Sequence, residues 1–312
     1  MEDRRKVLAQ ASVGVIRLWR FVSPCIGMLC SIWIGITGCQ SPKPSYPPIH
    51  DLNSQSQLQR GRDLVEGFAA CGFCHSLDGQ PQRPLSGGRV FQDAYGAIQP
   101  GNITIDKSGI GEWGLRSVRD VFREAKRPDG STLAPHAHKG FEWMSDRDID
   151  GITAYLRYLP GSKSNVSRRA ISFWNRNVRG FWETLGEVKG YIPETPQEHT
   201  VEYGRYIVDN VARCGACHNR PSGLFSSEKY LEGGKEISIN GDFRFAPNIT
   251  QSITGGIGAW TEQEMQRFLK TGQTPEGQDV SSKYCPVSFY AQAPEDDIQA
   301  VVSYLRTVKG DS

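Results

Sequence analysis

Two short motifs of the same pattern constrain what this 312-residue chain can become. They are Cys71-Gly72-Phe73-Cys74-His75 and Cys214-Gly215-Ala216-Cys217-His218, and both read C-x-x-C-H. Two thiols at this spacing can bond to the two vinyl groups of one porphyrin, and the adjacent histidine can supply an axial imidazole to its iron. The sequence therefore predicts two covalently bound haem c groups, attached through Cys71, Cys74, Cys214 and Cys217, with His75 and His218 as iron ligands. Two zinc knuckles or two disulfides are the alternatives.

The charge balance of the chain limits its possible partners, and its length limits the number of domains. The chain has 36 basic and 34 acidic residues, and the part after residue 38 carries 31 basic and 32 acidic ones. This balance argues against a nucleic-acid partner, so recognition must depend on local surface patches. The length is better suited to two domains than to one.

The N-terminus is predicted to be a targeting segment. Basic residues precede an apolar run over residues 21–38, which ends in Ile36-Thr37-Gly38-Cys39 and resembles a bacterial lipobox. We therefore expect a leader over residues 1–38, lipidation of Cys39 and a tether over residues 39–55. An uncleaved anchor helix and plain secretion are the alternatives. All three place the rest of the chain outside the cytoplasm. The favoured prediction is a membrane-anchored lipoprotein on the periplasmic side of a bacterial cell envelope.

From about residue 56 the chain consists of two copies of one unit. We expect one domain over residues 56–160, a linker over 161–198 and a second domain over 199–312. The linker is either a helix packed between the domains or a docking surface. The matching segments are Gly61-Arg62 with Gly204-Arg205, Asn102-Ile103-Thr104 with Asn248-Ile249-Thr250, Gly109-Ile110-Gly111-Glu112-Trp113 with Gly256-Ile257-Gly258-Ala259-Trp260, and Pro128-Asp129-Gly130 with Pro275-Glu276-Gly277.

Apolar residues in each unit recur at helical spacing. Each unit should begin and end with an amphipathic helix, with a third helix between them, and the first and last helices should cross through their apolar faces. The last helices match at an offset of 149 residues, as in Ile149 with Ile298 and Leu156 with Leu305. Neither unit is expected to contain strands with alternating polar and apolar residues, so the expected fold class is all-α.

These motifs permit a comparison with a known family. Together with Leu231-Glu232-Gly233-Gly234 and the Tyr-Leu-Arg of each last helix, they resemble the class I cytochrome c domains in cytochrome subunits of bacterial membrane-bound alcohol, gluconate and fructose dehydrogenases. The resemblance covers residues 56–308. It implies tandem class I cytochrome c domains and redox partner proteins such as a membrane-bound dehydrogenase or a respiratory complex. Those subunits usually carry three haem domains, whereas this chain has two motifs.

The resemblance also implies a methionine as the second axial ligand, and here the sequence departs from it. Met144 directly precedes Ser145, which is expected to cap the last helix of the first unit, so its position suits a packing role. Met265 lies within the middle helix of the second unit, where a core role is expected. The family methionine stands eight residues before the position of Met144, where this chain has His136 and, 149 residues later, Cys285.

We therefore predict His136 and Cys285 as the second axial ligands. His138 could replace His136 if the loop shifts, and Tyr284 is a weaker competitor of Cys285. The alternative for Cys285 is a buried, inert thiol. Imidazole and thiolate favour Fe(III) more than a thioether does, so both haems should have low potentials.

The function favoured by these residues is electron transfer without substrate chemistry, since no acid, base or nucleophile falls into a recognisable constellation. A His/Cys haem also resembles that of bacterial thiosulfate dehydrogenases, which makes a sulfur-oxidising enzyme the alternative. Peroxidase activity would require one haem with an open coordination position.

Overall fold

The computed structural model describes residues 52–93, 96–133, 138–167, 188, 190–221 and 227–310. The predicted leader, Cys39, His136 and linker residues 168–187 lie outside the described residues. The chain divides into a unit of residues 1–43 and a unit of residues 44–312, and everything described belongs to the second. None of its described helices is long and apolar enough to cross a bilayer.

The described residues form helices and two β-hairpins, with one hairpin in each half of the chain. We call the described residues 52–167 the first half and 190–310 the second half. The first half contains α1 Gln55–Glu66, α2 Cys71–His75, β1 Phe91–Asp93, β2 Gly96–Ile98, α3 Leu115–Glu124, a 3-10 turn Phe141–Trp143 and α4 Asp146–Tyr158. The second contains α5 Thr200–Tyr206, a π-helical segment Ile207–Val211, α6 Gly215–His218, β3 Glu236–Ile239, β4 Asp242–Phe245, α7 Glu262–Thr271, α8 Val287–Tyr290 and α9 Glu295–Leu305.

The first and last helices of each half pack against each other, which confirms the expected crossing. A glycine lies at each crossing point. A Cβ on Gly61 would lie 1.9 Å from the carbonyl oxygen of Gly151, and one on Gly204 would lie 1.9 Å from that of Ala300. No side chain fits there, so glycine allows the two backbones to approach. The apolar faces of α4 and α9 are buried at this contact.

The middle helices and the methionines take the expected places. Helix α7 begins after Thr261, whose side chain and Glu264 form a capping box. Within α7, Met265 is 2% exposed and belongs to the core. Met144 is 0% exposed and directly precedes Ser145, whose hydroxyl accepts a hydrogen bond from the Asp148 amide as the N-cap of α4. The predicted cap is thus confirmed, and Met144 packs beneath it.

The expectation of an all-α chain is confirmed only in part, because the described part is mainly helical but also contains a small four-stranded sheet of order β2-β1-β3-β4. Each half contributes one antiparallel hairpin, and the halves join where Phe91 of β1 pairs with Ile239 of β3. The sequence did carry a hairpin signal. Residues 236–245 alternate around Asn240-Gly241, and both of these residues have positive φ, as a tight hairpin turn requires.

A buried ion-pair network also joins the halves. Arg60 of α1 donates to both carboxylate oxygens of Asp148 at 2.8 and 3.1 Å, and to Asp297 at 3.3 Å. Tyr203 of α5 donates to the other oxygen of Asp297 at 2.8 Å. Arg60 and Tyr203 each precede a crossing glycine, and Asp148 and Asp297 are repeat equivalents 149 residues apart. The network therefore brings together equivalent positions of the two halves.

Candidate haem sites

The imidazole of His75 is oriented by a backbone carbonyl. Its Nδ1 lies 2.7 Å from the carbonyl oxygen of Gly101. A carbonyl oxygen can only accept, so Nδ1 carries the proton and donates. Burial lowers the pKa of His75, which keeps the ring neutral. The lone pair on Nε2 is therefore available to a metal, with the orienting contact that metal-binding histidines commonly have.

The second motif has the same arrangement. His218 Nδ1 donates to the carbonyl oxygen of Pro247 at 2.7 Å, and burial lowers the pKa of His218. Gly101 and Pro247 directly precede the repeated Asn-Ile-Thr segments, so equivalent carbonyls orient the two rings.

The Asn-Ile-Thr segments hold these carbonyls in place. The side-chain oxygen of Asn102 accepts from the Thr104 amide at 2.8 Å, and that of Asn248 accepts from the Thr250 amide at 2.8 Å. Each contact is a local turn between an asparagine side chain and the backbone two residues later. The repeat thus has a structural reason, since the turn fixes the chain beside the histidine.

The thiols of the two motifs are free and partly buried. Burial raises the pKa of Cys74, Arg213 and Arg89 lower it, and Cys217 raises it. Burial also raises the pKa of Cys71 to about 12 and that of Cys217. Cys74 of one motif therefore lies within electrostatic range of Cys217 of the other.

The residues of each motif fit haem c. Two unpaired thiols stand beside a neutral histidine whose Nε2 is not used by its orienting hydrogen bond. The apolar ring would lie against the hydrophobic core, to which Cys71, Cys74 and Cys214 contribute partly buried atoms. Within the described ranges, no group of three or more His, Cys, Asp or Glu side chains could hold a metal ion.

His138 lies opposite His75 in the first half. Their ring centres are 6.4 Å apart, and burial lowers the pKa of His138 well below its usual range. The favoured candidate His136 is outside the described residues, so its prediction stays a prediction. Met144 lies in the core under α4, as described above.

Cys285 lies near both thiols of the second motif. Burial, together with the nearby Cys217 thiol, raises the pKa of Cys285 to about 12. The Cys285 thiol in turn raises the pKa of Cys214. The ring of its competitor Tyr284 faces the charged ends of Lys283 at 5.2 Å and Arg244 at 5.7 Å. Ligation of iron by Cys285 stays a prediction.

Two arginines that sequence reasoning missed, Arg89 and Arg213, each donate a hydrogen bond to a backbone carbonyl of the opposite half. Arg89 of the first half donates to the Lys283 carbonyl at 2.8 Å, two residues before Cys285. Arg213 of the second half donates to the Lys139 carbonyl at 3.3 Å, one residue after His138. Each candidate ligand loop is therefore held by an arginine from the other half. The sequence contains one weak indication of this role, which is that Arg213 directly precedes Cys214 of the second motif.

Comparison with known proteins identifies relatives of the chain. It is 31% identical to the fructose dehydrogenase cytochrome subunit of Gluconobacter japonicus over 80% of its length and 52% of that protein. It is 26% identical to the gluconate 2-dehydrogenase cytochrome c subunit of Pantoea cypripedii, over 85% of this chain and 62% of the relative. A diheme cytochrome c-type protein of Cereibacter sphaeroides is 27% identical, over 78% of this chain and 82% of the relative. No protein-family model matches the chain.

These relatives confirm the resemblance inferred from the motifs. All three are described as cytochromes or cytochrome subunits. The chain spans about half to two thirds of the two dehydrogenase subunits, whereas it spans most of the diheme relative.

Proposed function

We propose that this homologue of bacterial dehydrogenase cytochrome c subunits and of a diheme cytochrome binds two haem c groups and transfers electrons between a dehydrogenase or respiratory donor and an acceptor. Cys71, Cys74 and His75 would hold one group, and Cys214, Cys217 and His218 the other. The observation that carries the proposal is the repeated orientation of His75 and His218 by equivalent carbonyls at 2.7 Å. When bound, haem supplies a one-electron Fe(III)/Fe(II) couple.

The polypeptide contributes orientation and charge to this function. The Gly101 and Pro247 carbonyls keep each histidine in the tautomer that leaves Nε2 free. A histidine in the 136–138 loop and Cys285 are the proposed second ligands. Arg213 places a positive charge near thiols of both motifs, and a nearby positive charge favours the reduced state. Because Cys74 lies near Cys217, we infer that electrons pass between the haems within one chain.

The proposed location is the periplasmic side of a bacterial cell envelope, with the two haem-binding domains tethered to the membrane through lipidated Cys39. The support is the lipobox-like end of residues 36–39 and the adjoining apolar run. The proposed donor is the catalytic subunit of a dehydrogenase, because two of the relatives are named as cytochrome subunits of a fructose and a gluconate dehydrogenase.

Haem content tests the proposal. The full-length protein, produced in a host that attaches haem c, should contain two haems per chain by pyridine haemochrome assay. A Cys71→Ser, Cys74→Ser variant should contain one, and so should a Cys214→Ser, Cys217→Ser variant. A haem-free wild-type protein that binds zinc stoichiometrically would contradict the proposal.

The second candidate is a sulfur-oxidising enzyme of the thiosulfate dehydrogenase type, and the position of Cys285 near Cys214 and Cys217 favours it. Two thiosulfate ions would couple to one tetrathionate and give two electrons to the haems. Anaerobic thiosulfate should then reduce the oxidised protein, whereas a pure electron carrier would stay oxidised. Peroxidase activity would instead require a high-spin haem in the resting protein.

A further inference from the structure

The geometry points to His138, rather than His136, as the second axial ligand of the haem held by His75, which assigns a bis-histidine site to the first half. This inference rests on the proposed function, because it concerns the iron of the proposed first haem. It also departs from the methionine ligation that the resemblance implies.

The first argument is the distance between the two rings. The ring centres of His75 and His138 are 6.4 Å apart. A metal–imidazole bond is about 2 Å long, and the bonded nitrogen lies about 1 Å from its ring centre, so two histidines on opposite sides of one metal have ring centres about 6 Å apart. The two side chains thus already have the separation that a shared iron requires.

The second argument is an unsatisfied nitrogen. His138 Nδ1 is buried and has no hydrogen-bond partner among the residues that the structure describes. A buried polar atom without a partner carries a desolvation cost, so it calls for a ligand or another explanation. His75 differs, because its Nδ1 is bound to the Gly101 carbonyl and its Nε2 is left over. Each ring therefore offers one nitrogen that these hydrogen bonds do not use.

The third argument is that the ring of His138 is held in position. Phe122 of α3 stacks on it with ring centres 6.1 Å apart and planes 12° apart, and Phe141 meets it edge-on at 5.5 Å. These contacts restrict the ring to one orientation, as preorganised metal sites require.

The backbone that follows His138 is held as well. Arg213 donates to the Lys139 carbonyl at 3.3 Å, and the side chain of Asn210 donates to the Gly140 carbonyl at 3.1 Å. Gly140 has a φ of +107°, which favours glycine, and its amide donates to Glu142 at 2.6 Å. Residues of the second half therefore fix the position from which His138 reaches the first haem.

The test uses the full-length, haem-loaded protein and its spin state, read by optical and electron paramagnetic resonance spectroscopy. His138→Ala should convert one of the two low-spin haems to high-spin, a loss of half the low-spin signal, and added imidazole should restore it. His136→Ala should keep both haems low-spin, as should His199→Ala at the exposed N-cap of α5.

A loss of low-spin haem in His136→Ala but not in His138→Ala would overturn the inference, and so would two low-spin haems in both variants. His138→Met is the second variant if His138→Ala does not accumulate. It should keep a six-coordinate haem whose potential is higher than in the wild type, and an unchanged potential would also overturn the inference. Haem content is measured in parallel, so a wild-type protein without two haems would refute the proposed function instead.

Discussion

The ion-pair network between the halves gives the sharpest test of how the two halves pack. We consider the substitution Arg60→Ala. The side chain of Arg60 is 17% exposed, and its two partners, Asp148 and Asp297, are 6% and 4% exposed. The substitution would leave two buried carboxylates without their cation. Removing one partner of a buried ion pair costs about 3–5 kcal/mol, because the remaining charge stays buried and uncompensated.

The effect on thermal stability follows from this free energy. In a folded unit of this size, 1 kcal/mol corresponds to about 2–4 °C in Tm, so Arg60→Ala should lower Tm by about 6–20 °C. The matched control is Arg62→Ala on the same helix. Arg62 is 56% exposed and pairs with Glu66 one turn away, and such a surface pair contributes about 0.5 kcal/mol or less. Circular dichroism melts of the haem-loaded proteins measure both changes.

The loss should also depend on pH. Burial raises the pKa of Asp297, although Arg60 opposes the shift. A carboxyl group with a raised pKa in the folded state binds its proton more tightly there than in the unfolded chain, so stability falls as pH rises through that pKa. Without Arg60 the pKa rises further, and the loss at pH 7 should exceed the loss near pH 4. Equal Tm shifts for Arg60→Ala and Arg62→Ala, at either pH, would refute this account of the network.

Three further substitutions test the crossing of α1 and α4, the proposed second ligand of the haem held by His218, and the positive charge of Arg213 near both motifs. Gly61→Ala should cost about 2–3 kcal/mol, because its Cβ would meet a carbonyl oxygen at 1.9 Å, whereas Gly255→Ala, with nothing within 4 Å, should be nearly neutral in urea unfolding. Cys285→Met should raise the potential of one haem by on the order of 0.1 V in a potentiometric titration, and an unchanged potential would remove Cys285 from the iron. Arg213→Ala should lower haem potentials by on the order of 50 mV, because it removes a positive charge near the thiols of both motifs and so disfavours the reduced state. Arg213→Lys keeps the charge, so a similar drop in that variant would exclude an electrostatic cause.

The sequence by itself determined the features that depend on residues close together in the chain. The C-x-x-C-H spacing predicts attachment of one porphyrin, and helical spacing predicts α1 and α4 with their crossing. The Asn-Ile-Thr repeat marked an equivalent position in each half, although its role in orienting His75 and His218 became clear only from the hydrogen bonds. The hairpin at Asn240-Gly241 could also have been predicted from the sequence, because its strands alternate polar and apolar residues, and the all-α prediction overlooked it.

Tertiary structure alone decided the contacts between the halves. The pairing of β1 with β3, and the hydrogen bonds from Arg89 and Arg213 to the opposite ligand loops, join residues far apart in the chain. No periodicity encodes such pairs, because they depend on how two independently patterned units dock. The position of His138 opposite His75 has the same origin. Counting along the repeat favoured His136, whereas the ring that faces His75 is set by packing against Phe122 and Phe141.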